Sequence, residues 1–176
     1  MMIKKSDKDK EVIFLTNKFS TLSKIDIKNL KKDANSNLRK RKRICSHLSI
    51  KDNIHEMFIV HKKNTYIRPH KHKNKVESMY IIEGEASFIT FNKHGTINRS
   101  IELSSYSSGK IFYTSQKKEI FHSLIIKSNW LVFLEITNGP FNKQDTIYAS
   151  WAPEEEHNNE GNNFLKKKLE KYNDFF

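Results

Sequence analysis

The sequence predicts an all-β sandwich or barrel, and three observations carry that prediction. Between residues 53 and 137 the chain falls into short runs rich in Ile, Val, Phe, Tyr and Thr, the residues that fit a pleated, half-buried surface. The runs are joined by turn-like connections such as Lys62-Lys63-Asn64, Glu83-Gly84, Lys93-His94-Gly95 and Ser128-Asn129. No helical periodicity lies between them. Short strands at regular spacing without intervening helices close on themselves as a sandwich or barrel.

In chain order, residues 1–10 are polar and read as a frayed end. Val12 to Leu15 is a short apolar run that reads as a strand. Ser23 is placed to cap a helix over residues 24–35, with Asp26 in its first turn and Ile27, Leu30 and Ala34 on one face. Asn35-Ser36-Asn37 ends it. The basic cluster Arg39-Lys40-Arg41-Lys42-Arg43 follows as a loop or the start of a strand.

Strands are then expected at 56–61, 65–69, 78–82, 85–91, 97–103, 110–114, 122–126 and 130–137. Asn138-Gly139-Pro140 stops the run. Trp151-Ala152-Pro153 opens an isolated aromatic segment expected to pack on the outside of the barrel. Residues 163–172 read as a basic helix with Phe164, Leu165 and Leu169 as a weak apolar face. The expected organisation is an N-terminal extension over 1–52, a barrel over 53–140 and a C-terminal segment over 141–176. There is no internal repeat.

The 176 residues suffice for one domain with a hydrophobic core. At 36% hydrophobic and 30% charged residues, the composition is that of a globular domain with charged flanks rather than a disordered chain. The lone cysteine, Cys45, allows no disulfide within the chain, which favours a reducing compartment. No run resembles a signal peptide or a membrane span, and the expectation is a soluble cytoplasmic protein without a membrane partner. The net charge of +12 invites a nucleic-acid reading. That reading is disfavoured, because the excess is scattered Lys beside abundant Asn and Ile, as in an AT-rich coding sequence, and no aromatic platforms interleave with the basic cluster.

The chemistry concentrates in His70-x-His72-x4-Glu77-x6-Gly84, with His122 on a later strand. Two His at i and i+2 point to one side of a strand. Three imidazoles and a carboxylate converging inside a barrel form a site for one divalent transition metal: Fe, Mn, Ni, Co or Zn. Such a set leaves coordination positions open for a ligand. Taken alone, His70-Lys71-His72-Lys73 also reads as a solvated loop, but that reading leaves the positions of Glu77, Gly84 and His122 unexplained.

Other candidates surround this set. Tyr66 and Arg68 share the parity of His70 and His72 and are expected inside the barrel, unless Pro69 marks a bulge. Arg68 could hold a carboxylate or phosphate. Arg39, Arg41 and Arg43 would share one face of a strand as an anion-binding rim; the bland reading is a solvated basic loop. Glu135 shares a face with Leu131 and Phe133; if that face lines the barrel it is a candidate general acid or base, with Tyr66 as the second, and a strand-end place on the rim is the alternative. Tyr80 is a candidate ligand contact, although aromatics in barrels more often build core. His47, His55, His61, His94 and His157 have no assigned role.

The His70-x-His72-x4-Glu77-x6-Gly84 spacing resembles the first cupin motif, with Asn64 where a Gly usually opens it. The second motif keeps His122 but has Lys117 and Glu119 where Pro and Gly are usual. The resemblance implies a double-stranded β-helix barrel with an N-terminal strand and helix extension and a short C-terminal helix. A further set of residues is similar to the WbuC-type cupin-fold metalloprotein family. It comprises Arg39, Arg41, Arg43 and His47, then Thr65-Tyr66-Ile67-Arg68-Pro69-His70-x-His72, Phe121-His122, Glu135 with Gly139-Pro140, and Trp151-Ala152-Pro153-Glu154-Glu155. The resemblance runs from about residue 10 to 157. It implies a metal-binding cupin encoded among bacterial surface-polysaccharide (O-antigen) genes and allows a homodimer; with an Arg beside the metal set, the expectation is a protein of that biosynthesis that acts on or binds a small anionic or sugar-type ligand. Three activities fit: a sugar or nucleotide-sugar isomerase or epimerase, a non-catalytic sugar- or anion-binding module, and an Fe(II)-dependent dioxygenase.

Overall fold

A computed structural model of the chain describes residues 3–5, 10–117 and 119–174. It contains twelve strands and two α-helices. The strands are β1 (Ile3–Lys5), β2 (Val12–Leu15), β3 (Arg41–Cys45), β4 (Ile54–Lys62), β5 (His70–His72), β6 (Glu77–Glu83), β7 (Glu85–Phe91), β8 (Ile97–Ser104), β9 (Tyr113–Gln116), β10 (Phe121–Ile126), β11 (Trp130–Asn138) and β12 (Thr146–Tyr148). The helices are α1 (Lys24–Ser36) and α2 (Asn158–Asn173). One sheet runs β1-β2-β3-β4-β11-β6-β9 and the other β12-β5-β10-β7-β8. All pairings are antiparallel except β2 with β3. Two facing sheets that the chain crosses between repeatedly are the double-stranded β-helix of a cupin.

Alternation along each strand decides what fills the space between the sheets. Met57 and Ile59 of β4, Met79 and Ile81 of β6, Ala86 and Phe88 of β7, Leu124 and Ile126 of β10, and Leu131 and Phe133 of β11 form one apolar cluster lining the barrel. The opposite parity of the seven-stranded sheet is covered by α1: Ile44, Val60 and Val132 pack with Leu30 and Ala34. The helix begins where a capping box forms, the Ser23 hydroxyl accepting from the Asp26 N–H and the Asp26 carboxylate accepting from the Ser23 N–H. The outer face of the five-stranded sheet is covered by α2, with Leu165 packed against Ile89, Phe91 and Ile125. The close approach of α2 depends on Gly161, where a side-chain Cβ would lie 2.3 Å from the Tyr66 ring.

Several expectations shift by a few residues, and some fail outright. Residues 3–5, expected to be frayed, pair with β2; the rest of 1–9 lies outside the described residues. The expected strand at 65–69 is absent, and that stretch runs as irregular backbone into the short β5. Strand β12 was not foreseen; it adds an edge beside β5. The tail helix starts earlier than expected, at Asn158. Trp151 packs outside the barrel, as expected, against Phe91, Phe121 and Phe164. Among the described residues no helix is long and apolar enough to cross a membrane.

Candidate metal centre

Strand β5 is only three residues long, yet it sets two of the three imidazoles. Its His70 stands directly opposite His122 of β10 and Tyr148 of β12. His72 stands opposite Thr146. Each of His70, His72 and His122 offers a ring nitrogen, and these three atoms lie within 4.8 Å of one another. Glu77, at the start of β6, closes the fourth side. Its carboxylate oxygens lie 3.2 Å from His72 Nε2 and 3.7 Å from His122 Nε2.

The other ring nitrogens explain why the Nε2 atoms converge. His70 Nδ1 lies 2.8 Å from the Arg68 carbonyl oxygen. His72 Nδ1 lies 3.2 Å from the Thr146 hydroxyl. His122 Nδ1 lies 2.9 Å from the Ile120 carbonyl oxygen and 3.0 Å from the Gln116 amide. For His70 and His122 one partner is a carbonyl, which can only accept, so an Nδ1–H donated to it turns Nε2 toward the shared focus, where a metal would take the place of the Nε2 proton. Outer partners of this kind orient metal-ligating imidazoles and raise their basicity. Below the rings, Phe88 stacks on His122 with centroids 5.7 Å apart.

The electrostatics fit the same donor set. Burial, helped by His122 and His72, pushes the His70 pKa down to about 3, so the ring is neutral and its lone pair available. Burial alone would raise Glu77, but hydrogen bonds from His122 and His72 outweigh it and hold the carboxylate well below its usual range. The same contact outweighs burial at His122 and raises that ring. A carboxylate kept ionised in an apolar barrel beside three converging imidazole nitrogens is a donor set suited to a divalent transition metal.

Among the other candidates, Glu135 reaches the barrel interior. It lies between Met57 and Met79 in the sheet register. Burial first, and then the field of Glu77, raises its pKa to about 8, against the pull of Arg43 and His122. It is therefore a carboxylic acid that keeps its proton near neutrality while remaining partly open to the lumen.

Tyr66 does not join the centre. It packs in the cluster beneath α2 on the outer side, and its hydroxyl donates to the Pro153 carbonyl at 3.0 Å. The shared parity with His70 fails because 65–69 is not a strand: Ile67 faces the barrel cluster, and the phase slips by one residue across the buried Pro69. Arg68 is turned aside too. Its guanidinium pairs with Glu154, donates to the Ala149 carbonyl at 3.2 Å and sits 5.1 Å over the Tyr148 ring. Its contribution to the centre is the backbone oxygen that holds His70. Tyr80 faces outward: with Glu77, Met79 and Ile81 inside, residue 80 must point away, and it rests against Phe112.

The basic cluster is split by strand alternation. Arg39 and Arg41 are gripped by two carboxylates from distant parts of the chain, Glu11 and Glu155, at 2.7–3.0 Å. Lys42 points to the other face and pairs with Asp33 of α1 at 3.0 Å. The exposed rim expected of Arg39, Arg41 and Arg43 is thus closed by acidic partners at two of its three arginines. Arg43 differs: its Nε is buried without a hydrogen-bond partner. Gln116, Thr146 and Tyr148 were missed by sequence reasoning. Gln116 carries one usable signal: it sits six residues before His122 on the strand paired to Glu77.

Comparison with known proteins adds the following. Residues 22–103 match the family described as a domain of unknown function (DUF6016). A search of curated proteins finds no match. Among solved structures, the oxalate decarboxylase formate complex of Lactobacillus farciminis is 17% identical, with a TM-score of 0.44 over 55% of this chain and 27% of that one. The capsular polysaccharide assembling protein CapF of Staphylococcus aureus is 15% identical, with a TM-score of 0.47 over 61% of this chain and 31% of that one. A Shewanella oneidensis protein is 8% identical, with a TM-score of 0.45 over 56% and 63%. The chain spans about a quarter of the decarboxylase.

Proposed function

We propose that the chain is a metal-dependent cupin that binds, and in its fuller form transforms, a small anionic or sugar-type ligand inside the barrel. One observation supports this above all: the Nδ1 atom of each of three imidazoles is engaged elsewhere, so their Nε2 atoms and the Glu77 carboxylate share one focus. When bound there, a divalent metal supplies a Lewis acid able to polarise a ligand oxygen. His70, His72, His122 and Glu77 would hold it.

The chain's own contribution to chemistry is Glu135. Retaining a proton near neutrality, it can donate or accept one on the lumen side of the centre. Tyr66 is excluded from that task by its bond to Pro153. The apolar walls of Met57, Met79, Phe88 and Phe133 limit water around the reacting group. Membership among WbuC-type cupins, a role in surface-polysaccharide biosynthesis and a cytoplasmic location belong to the same reading. A homodimer would cover the exposed Tyr80, Ile82 and Tyr113 on the outer face of β6 and β9.

The test is metal analysis of untagged protein purified without chelator, beside His70→Ala and His122→Ala variants. Near one equivalent of one transition metal, lost in both variants, is the expected result. A wild-type protein that carries no metal and takes none up on reconstitution would overturn the reading. If metal is present, Glu135→Gln separates catalysis from binding: it abolishes turnover but leaves ligand affinity intact if the acid–base role holds.

A further inference from the structure

Within the basic cluster the three arginines have different fates. Arg39 and Arg41 each contact two carboxylates. Arg43 has no carboxylate within salt-bridge distance among the described residues, and its Nε is buried without a hydrogen-bond partner. Its position is defined by register. Cys45, two residues on, belongs to the barrel cluster, so Arg43 enters the same inner face. There it stands opposite Ile59, which stands opposite Phe133. A guanidinium whose Nε is buried against an apolar wall without a partner is costly unless something compensates it.

A second polar atom on that wall is in the same condition. His61, on the neighbouring strand, is opposite Arg41 and diagonal to Arg43. It is only 6% exposed and stacks on Phe133 with centroids 5.5 Å apart. Its Nδ1 is buried without a partner. A guanidinium with its Nε unpartnered and, beside it, a neutral imidazole whose Nδ1 can carry its one N–H, both turned to the barrel side, match an acceptor group that bears negative charge. Glu135 does not fill that role: it stands in the next inner row, beside Met57, and is not within salt-bridge distance of Arg43.

Glu77, Glu135 and Arg43 lie on successive inner rows of the seven-stranded sheet. Thr137 faces Glu77, Glu135 is two residues before it, and Phe133, in the Arg43 row, is two before that. The polar groups therefore form a diagonal across a wall otherwise built of Met, Ile and Phe.

We propose that Arg43 and His61 form an anion subsite within the barrel, taking the carboxylate or phosphate of a ligand whose other end reaches the His/Glu centre. The coupling to that centre rests on the function proposed above; the subsite itself does not. The ligand class is then an organic acid or phosphate ester with an oxygen donor remote from its anionic group. The arginine that recognises it is Arg43, not Arg39, Arg41 or Arg68, whose forks are already occupied by Glu11, Glu155 and Glu154.

The experiment is a titration with inorganic phosphate, followed by calorimetry and by the thermal midpoint, on metal-loaded and on chelator-treated protein. The variants are Arg43→Met, His61→Phe (which keeps the stack on Phe133) and, as a surface control, Lys28→Gln/Lys32→Gln. Wild type binds phosphate in both metal states, and the surface variant matches it. Arg43→Met raises Kd at least tenfold and raises the midpoint in phosphate-free buffer, because an unpaired charge has been removed. His61→Phe raises Kd several-fold, and metal content is unchanged in both. Wild-type affinity in Arg43→Met or in His61→Phe overturns the subsite. So does loss of binding in the lysine variant, or binding that disappears with the metal. Absence of metal with phosphate binding still dependent on Arg43 would overturn the centre and leave the subsite standing.

Discussion

The His/Glu centre and the arginine segment make an instructive pair. Both are dense runs of chemistry-bearing residues, and both looked like sites in the sequence. In the first, the side chains of β5, β6 and β10 turn toward one another, and each imidazole is held from behind through its Nδ1, so that Nε2 faces the common centre. In the second, strand alternation sends Lys42 to one side and the arginines to the other, and carboxylates from Glu11 and Glu155 neutralise Arg39 and Arg41. Charge in the sequence says little about charge available to a ligand. What matters is whether the fold supplies a partner, and of the segment's three arginines Arg43 is the one with no carboxylate within salt-bridge distance among the described residues.

That contrast breaks most easily at the groups behind the imidazoles. Thr146→Val removes the hydroxyl on His72 Nδ1, and Gln116→Leu removes the amide on His122 Nδ1. Each should weaken metal binding about tenfold to a hundredfold, about 1.4–2.7 kcal/mol, with little change in the fold. Competition against a chromophoric chelator measures it. Unchanged affinity in both variants would mean that the rings are aimed by packing alone, through Phe88 and the strand backbone.

The arginine side sharpens through His61. Burial, with Arg41, Arg43 and Arg39 facing it, pushes its pKa down to about 3, while an unfolded chain restores the ordinary value near 6.5. The unfolded state therefore binds the extra proton first. Stability from this group is complete above pH 6.5 and falls as pH drops toward 3. Between pH 7 and pH 5 the loss is about 2 kcal/mol. His47, His55 and His70 are also lowered and will contribute, so the informative quantity is a difference. Urea midpoints of His61→Phe should fall less steeply with acidification than those of wild type. Parallel slopes would place the imidazole in contact with water or with an anion that stabilises its charged form.

How much of this was legible follows from the range of each rule. Alternation is local, and it placed His70 and His72 on one side of a strand; Glu77 followed from the motif spacing across the turn. Alternation could also have placed Tyr80 outside, since Glu77 inside forces the next even position outward. It failed at Tyr66, because the rule was carried through Pro69, where backbone pairing lapses and the phase slips. Helix α1 was readable because Ser23 and Asp26 announce its start. Strand β12 was not, because three residues carry no periodicity; yet it brings both Thr146 and Tyr148 to the centre. The partners of Arg39 and Arg41 lie up to 116 residues away, and no local pattern reports a contact of that range.

The smallest expected effect tests those long-range partners directly. Glu155 spans Arg39 and Arg41 at 2.9 Å each, with its side chain 21% exposed. Partial burial makes the pair worth more than an ordinary surface bridge, whose typical value is under about 1 kcal/mol. Glu11 remains on both guanidiniums when Glu155 is removed, so neither charge is orphaned. Glu155→Gln should therefore cost about 1 kcal/mol in urea unfolding, and the cost should shrink as salt is raised. It should also turn Arg39 and Arg41 into groups an external anion can reach, giving the variant a second, weaker phosphate site beside the one assigned to Arg43. A variant with unchanged stability and one phosphate site would mean that Glu11 alone holds both arginines. The carboxylate of the C-terminal segment would then be an adornment of the basic cluster rather than its lock.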